Sequence, residues 1–322
     1  MNEANGSSVT GRRMRPIALA PLLLLGCGPA RPVAVASGEE APLAIAADVG
    51  ALYWLNAGVG TPAAVRKLTL SGGAPQTLAA GGFAGPRAII VDGPWVYWAA
   101  AEGGVRKVPR AGGEERAVAA EPAGFTPFAL AVAGGKLYWL ATSATRAVLA
   151  SAQLGDDDGP RQEVLELPPF TVTGPSQIAS DGQTVYWVQS DGAVAWLGPA
   201  GAVSLATRQG ELRGVVIVGD QVWWAGLPLG TQALMRKRRD SMENPTVVAL
   251  VPGVTQLLAE GAGALIASYM ASSISRVSAA GEVAELASET QGASGVAVAG
   301  STVYYLVAGS GTAADGRVMR IR

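Results

Sequence analysis

The chain has 322 residues and a nearly balanced charge, 24 Lys and Arg against 25 Asp and Glu, which gives no global field for nucleic acid or an anionic membrane. Histidine is absent, and this excludes Ser-His-Asp and Cys-His catalysis together with the commonest zinc ligand. Charged residues make up only 15%, while 43 glycines and 20 prolines favour many short strands joined by tight turns over long helices.

The first 26 residues are predicted to be an export signal. Arginines among residues 12–15 precede an apolar run over residues 17–26, which ends before Cys27, the sole cysteine of the chain. About ten apolar residues are too few to cross a bilayer, for which about 20 are needed. The pattern favours Sec export over twin-arginine export, with translation starting at Met1 or at Met14.

The residues around Cys27 resemble the bacterial lipobox, because Leu24, Leu25 and Gly26 precede it. The resemblance implies cleavage before Cys27, attachment of lipid at this cysteine, and an exported protein anchored to the cell envelope. The residue after Cys27 is Gly28 and not Asp, which resembles the sorting pattern of lipoproteins sent to the outer membrane. The protein would then lie on the periplasmic or on the outer side of that membrane. We therefore expect Cys27 to be lipidated.

Residues 27–41 are rich in small residues and are predicted to be the lipidated N-terminus and a tether. They contain one strand-type run, from Pro32 to Ser37. Residues 42–322 are built from repeats and are expected to form the folded domain.

The stretch from Pro86 to Ala120 shows the repeating unit. It contains four strand-type runs, parted by Asp-Gly, Glu-Gly-Gly and Gly-Gly, which tight turns require. An aromatic pair in the second run returns at intervals of 37 to 48 residues. The pairs are Tyr53-Trp54, Tyr97-Trp98, Tyr138-Trp139, Tyr186-Trp187, Trp223-Trp224 and Tyr304-Tyr305, with Ile266-Ala267 interpreted as a degenerate copy in the long gap.

Repeats near 40 residues with four strands each are typical of β-propellers, whose sheets pack face to face around a central channel. The six aromatic pairs and the one degenerate copy predict an all-β propeller of seven four-stranded blades, with six or eight blades as alternatives. The aromatic pairs are expected to be core, and Trp95 and Trp196 are better candidates for exposure. Prolines eleven residues before the first aromatic are predicted to begin the innermost strands. They are Pro42, Pro86, Pro127 and Pro175.

The last repeat has three strand-type runs between residues 295 and 321 but no fourth. A sheet that lacks a strand would leave backbone N–H and C=O groups unpaired at the seam of the ring. The run from Pro32 to Ser37 is therefore expected to supply the missing strand.

Basic third strands follow several aromatic pairs, beginning at Val65, Val105, Ser275 and Gly316. Tyr-Trp followed by a basic strand and Gly-Gly resembles the YWTD repeat of extracellular receptor propellers and the bacterial TolB and NHL propellers. The Thr-Asp half of that motif is replaced in this chain, and the receptor family has six blades. The resemblance thus implies the fold and transfers no functional residue.

Two charged runs stand apart from the repeat pattern. Asp156, Asp157 and Asp158 are interpreted as a solvated hairpin tip, with a calcium site as the alternative, although the spacing and the closing Glu of a calcium loop are missing. The run Arg236 to Arg239 is interpreted as charge that protects a strand edge, with phosphate binding as the alternative. No metal site and no cofactor are predicted.

The innermost strands are predicted to begin ten residues before each aromatic mark, at one mouth of the channel. These positions are Leu43, Arg87, Phe128, Ser176, Arg213, Gln256 and Ser294. The four phenylalanines lie in or beside the crossovers that lead to these positions, and the alternative is that they only fill gaps between blades. The candidate binding face comprises Arg87, Arg213, Phe83, Phe125, Phe128 and Gln256.

Two functions remain open on this reasoning. The favoured one is a monomeric, membrane-anchored lipoprotein whose propeller binds or scaffolds a protein, peptide or glycan partner. The alternative is a polysaccharide lyase or hydrolase that uses paired carboxylates in the central funnel. Carboxylates that line one mouth of the channel would favour the enzyme.

Overall fold

The computed structural model describes residues 31–155, 157–170, 174, 177–227, 230–288 and 292–321. In this part of the chain, 28 strands form seven sheets of four antiparallel strands each. The predicted seven-bladed β-propeller is therefore confirmed, and the alternatives of six and eight blades are wrong. No helix in the described ranges is long and apolar enough to cross a membrane.

The first four blades follow the chain order, each from its innermost to its outermost strand. Blade 1 comprises β2 (Pro42–Ala47), β3 (Ala51–Asn56), β4 (Ala64–Thr69) and β5 (Gln76–Ala80). Blade 2 comprises β6 (Ala84–Asp92), β7 (Trp95–Glu102), β8 (Gly104–Pro109) and β9 (Arg116–Ala119). Blade 3 comprises β10 (Thr126–Ala133), β11 (Lys136–Thr142), β12 (Ala147–Gln153) and β13 (Gln162–Leu167). Blade 4 comprises β14 (Ile178–Ser180), β15 (Val185–Val188), β16 (Val194–Gly198) and β17 (Gly201–Ala206).

The remaining three blades complete the ring. Blade 5 comprises β18 (Gly214–Val218), β19 (Gln221–Gly226), β20 (Ala233–Arg238) and β21 (Thr246–Leu250). Blade 6 comprises β22 (Val254–Glu260), β23 (Gly263–Ser268), β24 (Ser273–Val277) and β25 (Val283–Ala287). Blade 7 comprises β26 (Ala293–Ala299), β27 (Thr302–Val307), β28 (Gly316–Ile321) and the N-terminal strand β1 (Val33–Glu39).

Strand β1 closes the ring by pairing with the last strand of the chain. It runs antiparallel to β28, with Val33 opposite Arg320 and Glu39 opposite Gly316. The predicted closing strand is therefore confirmed, and it extends two residues beyond Ser37. The first and last described strands therefore lie in one sheet, which gives blade 7 its four strands.

The aromatic pairs form the core between blades, as the sequence predicts. They lie in the second strand of each blade, and Trp54, Trp98, Trp139, Trp187 and Trp224 have no exposed surface. Neighbouring residues of an inner strand pack in opposite directions around the ring. Ala44 lies in the cluster shared with blade 2, whereas Ile45 lies in the cluster shared with blade 7.

The predicted register is wrong by one residue in blade 6. Leu257 pairs with Ile266 and Leu258 with Leu265, as Ile45 pairs with Trp54 in blade 1. The equivalent of the aromatic pair is therefore Leu265-Ile266 and not Ile266-Ala267. In an aliphatic run the sequence does not show which residues align with the aromatic pairs of the other blades. The register of blade 6 is therefore known only from its strand pairing.

The prolines lie at the start of inner strands but seldom at the first residue. Pro42 begins β2, whereas Pro86 is the third residue of β6 and Pro127 the second of β10. Pro175 lies outside the described residues. In each of the three described cases a bulge follows the proline, so the missing N–H group falls where the ladder is already irregular.

Candidate functional site

The channel of the propeller is a cavity of about 450 Å³ lined by the innermost strands of all seven blades. Its lining side chains are almost all Ala, Val, Ile and Leu, and the polar ones are Ser180 and Gln256. Among the described residues, no Asp or Glu lines this channel. The paired carboxylates that the enzyme alternative requires are therefore not found in the described lining.

The two ends of the channel differ in their loops. We call the end at which the innermost strands begin the crossover face; it includes residues 120–125 and 269–272. We call the opposite end the turn face; it includes residues 48–50 and 239–245. This definition follows from strand direction, because the first and third strands of each blade run from the crossover face to the turn face and the second strand runs back.

Three of the predicted site residues are accessible on the crossover face. Arg87 is exposed in the bulge of β6, and no ion pair or hydrogen bond of its side chain is found among the described residues. Arg213 is half-exposed and forms an ion pair with Glu211. Phe125 is half-buried, with the guanidinium of Arg146 5.9 Å from its ring centre.

The other three predicted site residues are buried. The ring centres of Phe83 and Trp98 are 5.3 Å apart, and those of Phe128 and Phe170 are 5.0 Å apart. Gln256 accepts a hydrogen bond of 2.8 Å from the backbone N–H of Val296 and so connects blades 6 and 7. These contacts place Phe83, Phe128 and Gln256 in the packing between blades, so only the other three offer surface to a partner.

The remaining positions predicted at the channel mouth differ in their burial and contacts. Leu43 and Ser294 are half-buried, and Ser294 donates a 2.9 Å hydrogen bond to the carbonyl of Pro42 across the seam. Ser176 lies outside the described residues. In blade 6 the corrected register puts Thr255, not Gln256, at the bulge.

Two exposed residues on the crossover face were missed by sequence reasoning. Tyr269 is 56% exposed and Met270 is 88% exposed, in the loop after β23. The backbone N–H of Tyr269 donates to the hydroxyl of Thr255 at 2.9 Å, which ties this loop to the channel mouth. The ring of Tyr269 also lies over Gly292, where a Cβ atom would come within 2.7 Å of it. The absence of a side chain at Gly292 therefore makes room for Tyr269.

Buried polar anchors fix the crossovers to the core. Glu39 accepts hydrogen bonds from the indole of Trp54 at 2.9 Å and from the amide of Asn56 at 2.8 Å. Gln209 accepts from Trp224 at 3.3 Å, and it likewise stands fifteen residues before its tryptophan. A polar residue at this spacing is a sequence signal that could have been recognised. These hydrogen bonds fix the crossovers into blades 1 and 5 to the core.

On the turn face, two triads of Asp, Tyr and Arg join neighbouring blades. Tyr186 donates to Asp181 at 2.8 Å, while Arg239 of the next blade donates to both, at 2.7 Å to the hydroxyl and 3.0 Å to the carboxylate. The same arrangement recurs between blades 1 and 2. It comprises Asp48, Tyr53 and Arg110.

The triads set the ionisation of their members. Burial and the hydrogen bond to Asp181 raise the pKa of Tyr186 to about 12, so its hydroxyl stays protonated. Burial alone would raise the pKa of Asp181, but hydrogen bonds from two backbone N–H groups and Tyr186, together with the charge of Arg239, lower it below the ordinary 3.8. Asp48 has a lowered pKa for the same kind of reason.

We expect the double variant Asp48→Asn and Asp181→Asn to lose about 1 to 2 kcal/mol of folding free energy at pH 6. A lowered pKa in the folded state stabilises it above the unfolded pKa, and this contribution is lost as the pH falls below 3.8. The difference between wild type and variant should therefore shrink from pH 6 to pH 3 in urea denaturation. Asp220→Asn, an exposed carboxylate of the same face, is the control. A constant difference across this range would contradict the assignment.

Both interpretations of the charged runs need correction. In the acidic run Asp157 is exposed, as expected, but Asp158 is not: its side chain is 6% exposed and its carboxylate lies 2.7 Å from the ammonium group of Lys107 in the neighbouring blade. Asp156 lies outside the described residues. Arg236 and Arg239 do not protect an exposed strand edge, because β20 is the third strand of its sheet and is paired on both sides. Their side chains instead bind groups of adjacent blades. No group of three potential metal ligands is found in the described part of the chain.

The two tryptophans outside the pairs are only partly exposed. The ammonium group of Lys107 lies 4.3 Å from the ring centre of Trp95. Trp196 packs on Tyr186 with 6.5 Å between ring centres, and the guanidinium of Arg239 lies 5.5 Å from its ring centre. Both rings are therefore covered by neighbouring cations and offer little free surface.

No protein family matches this sequence, and no curated protein sequence matches it. Solved structures do share the fold. Virginiamycin B lyase from Staphylococcus aureus, solved as an inactive histidine-to-alanine variant with quinupristin, has a TM-score of 0.65 at 13% identity, over 91% of this chain and 98% of the lyase. Oligogalacturonate lyase in complex with manganese has a TM-score of 0.64 at 12% identity, over 84% of this chain and 85% of that one.

A computationally designed protein, Ika8, is also similar, with a TM-score of 0.59 at 13% identity over 89% of this chain and 98% of the design. At such identities the likeness shows the fold alone. The chain is a seven-bladed β-propeller.

Proposed function

We propose that this chain is an envelope lipoprotein, anchored through Cys27, whose propeller binds a protein, peptide or glycan partner on the crossover face. The observation that carries the proposal is the exposure of Arg87, Tyr269 and Met270 on one end of the ring. Arg87 lies in strand β6, and a backbone hydrogen bond to Thr255 ties down the loop that bears Tyr269 and Met270, so binding would cost little ordering of the protein.

The chemistry of these side chains suits a partner with both polar and apolar groups. The guanidinium of Arg87, which makes no ion pair or hydrogen bond with the described residues, offers a planar set of donors to carboxylates or hydroxyls. On the same face, the tyrosine ring and the methionine of blade 6 supply apolar contact. Arg213 and Phe125 lie on the same face and extend this surface.

The enzyme alternative receives less support from the site. The chain contains no histidine, whereas the similar virginiamycin B lyase was made inactive by changing one. The described channel lining also lacks the carboxylate pair that glycoside chemistry requires. We therefore favour binding over catalysis.

We expect the double variant Arg87→Ala and Arg213→Ala to weaken capture of the partner by about tenfold or more. Both side chains lie at least partly in solvent, so the melting temperature should stay almost unchanged. A photo-crosslinking residue placed at position 270 would trap the partner in intact cells, and mass spectrometry would identify it. When the photo-crosslinking residue at position 270 is combined with Arg87→Ala and Arg213→Ala, this crosslink should be lost.

The matched control is a photo-crosslinking residue at Met242, which is 99% exposed on the turn face. It should not give the crosslinked species obtained at position 270. An equal yield from both positions would contradict a crossover-face site. Loss of folding in parallel with loss of capture would show that the two arginines are structural.

A further inference from the structure

The first strand that the structure describes begins on the turn face. Strand β1 starts at Val33 and ends at Glu39, from which the chain passes directly into β2 at the crossover face. Its antiparallel partner β28 runs the opposite way, from Gly316 to Ile321. Residues 31 and 32 therefore leave the propeller at the rim of the turn face, beside the seam between blades 7 and 1.

The sequence leaves little chain between this point and the proposed lipid. Cys27 precedes Val33 by six residues, which span at most about 20 Å when fully extended. An inner strand of six residues such as β2 is itself about 20 Å long, and loops add to the height of the ring at both ends. A tether that leaves the turn face is thus too short to bring the crossover face to the lipid.

Exposed apolar side chains lie on the same face as the tether. Val49, in the first turn of blade 1 next to the seam, is 94% exposed, and Met242, in blade 5, is 99% exposed. Two arginines of this face are paired, Arg110 with Asp48 and Arg239 with Asp181. The projecting apolar side chains suit an uncharged lipid surface, where each buried methylene contributes about 0.8 kcal/mol. The exposed carboxylates of this face, Asp92, Glu243 and Glu282, disfavour an anionic one.

We propose that the turn face lies against the bilayer, with Val49 and Met242 at the level of the lipid headgroups, and that the crossover face points away from it. This inference rests on the proposed lipid anchor at Cys27. It assigns a lipid surface as the partner of the turn face and leaves Arg87, Tyr269 and Met270 facing the aqueous side, where a partner has access.

The sole cysteine of the chain gives a direct test. In the lipidated protein the thiol of Cys27 is consumed, so an introduced cysteine is the one free thiol for a fluorescent label. Three variants, Val49→Cys, Met242→Cys and Met270→Cys, are labelled in the full-length lipoprotein and reconstituted into phosphatidylcholine vesicles that carry nitroxide headgroups. All three positions are highly exposed, so labelling should leave the fold intact.

We expect the nitroxide lipids to quench the labels at positions 49 and 242 at least threefold more strongly than the label at position 270. Equal quenching on both faces, or stronger quenching at position 270, would overturn the orientation. The mass of the purified protein checks the anchor independently, because acylation adds to it. If Cys27 carries no lipid, both the anchor and the orientation fail; if it carries lipid and quenching is equal, the orientation alone fails.

Discussion

Removing strand β1 should destabilise the propeller more than any single substitution described above. A chain that starts at residue 41 lacks the outer strand of blade 7 and also the carboxylate of Glu39. That carboxylate is 3% exposed, and its loss leaves the indole of Trp54 and the amide of Asn56 without their acceptor. Hydrogen bonds to a buried charge contribute about 1.5 to 3 kcal/mol each, so we expect a loss of at least about 5 kcal/mol.

The matched control is a chain that starts at residue 31 and keeps all of β1. For a domain of this size about 5 kcal/mol corresponds to a fall of about 10 °C or more in melting temperature, measured by circular dichroism. The variant Glu39→Gln in the longer chain separates the charge from the strand, because it keeps every backbone pair with β28. Equal melting temperatures for the two chains would show that the ring does not need its closing strand.

The fold was predictable because its main mark is both frequent and buried. The pair Tyr97-Trp98 and its copies occur in six of the seven blades, because large side chains fill the space between blades at that point of the second strand. The same dependence explains the error in blade 6. Where Leu265 and Ile266 replace the aromatic pair, several registers satisfy the same apolar pattern, and only the backbone pairing decides among them.

The candidate site was less predictable, because exposure depends on contacts between blades. Phe83 and Phe125 both lie in crossovers, yet Phe83 packs on Trp98 while Phe125 stays half-exposed. Phe83 stands fifteen residues before Trp98, and Glu39 stands at the same spacing before Trp54 of blade 1. Sequence alone gave no sign that a charged and an aromatic residue serve the same anchoring purpose.

Tyr269 and Met270 show the converse case. Nothing in the sequence separates them from buried apolar residues, since they directly follow the second strand of their blade. They are exposed because the loop turns outward over Gly292 and Thr255, two residues that are distant in sequence. A long-range contact of this kind leaves no periodic pattern to read.

The buried pair of Lys107 and Asp158 leads to the second large prediction. The side chain of Lys107 is 1% exposed; its ammonium group lies 2.7 Å from the carboxylate of Asp158 and also donates to the carbonyl of Gly155 at 3.1 Å. It lies 4.3 Å from the ring centre of Trp95. This single side chain therefore connects blade 2 to the loop between β12 and β13 of blade 3.

Asp158→Ala should cost about 3 to 5 kcal/mol in urea denaturation, because it leaves a buried ammonium group without its counter-charge. The double variant Lys107→Met with Asp158→Ala should recover most of this loss, since an apolar side chain of similar length can remain against Trp95. Asp240→Ala is the matched control: its partner Arg238 is 55% exposed, so removing this pair should change stability by less than about 1 kcal/mol. If the double variant is as unstable as Asp158→Ala alone, the cost comes from the loop and not from the unpaired charge, and the ion pair is then not what holds blades 2 and 3 together.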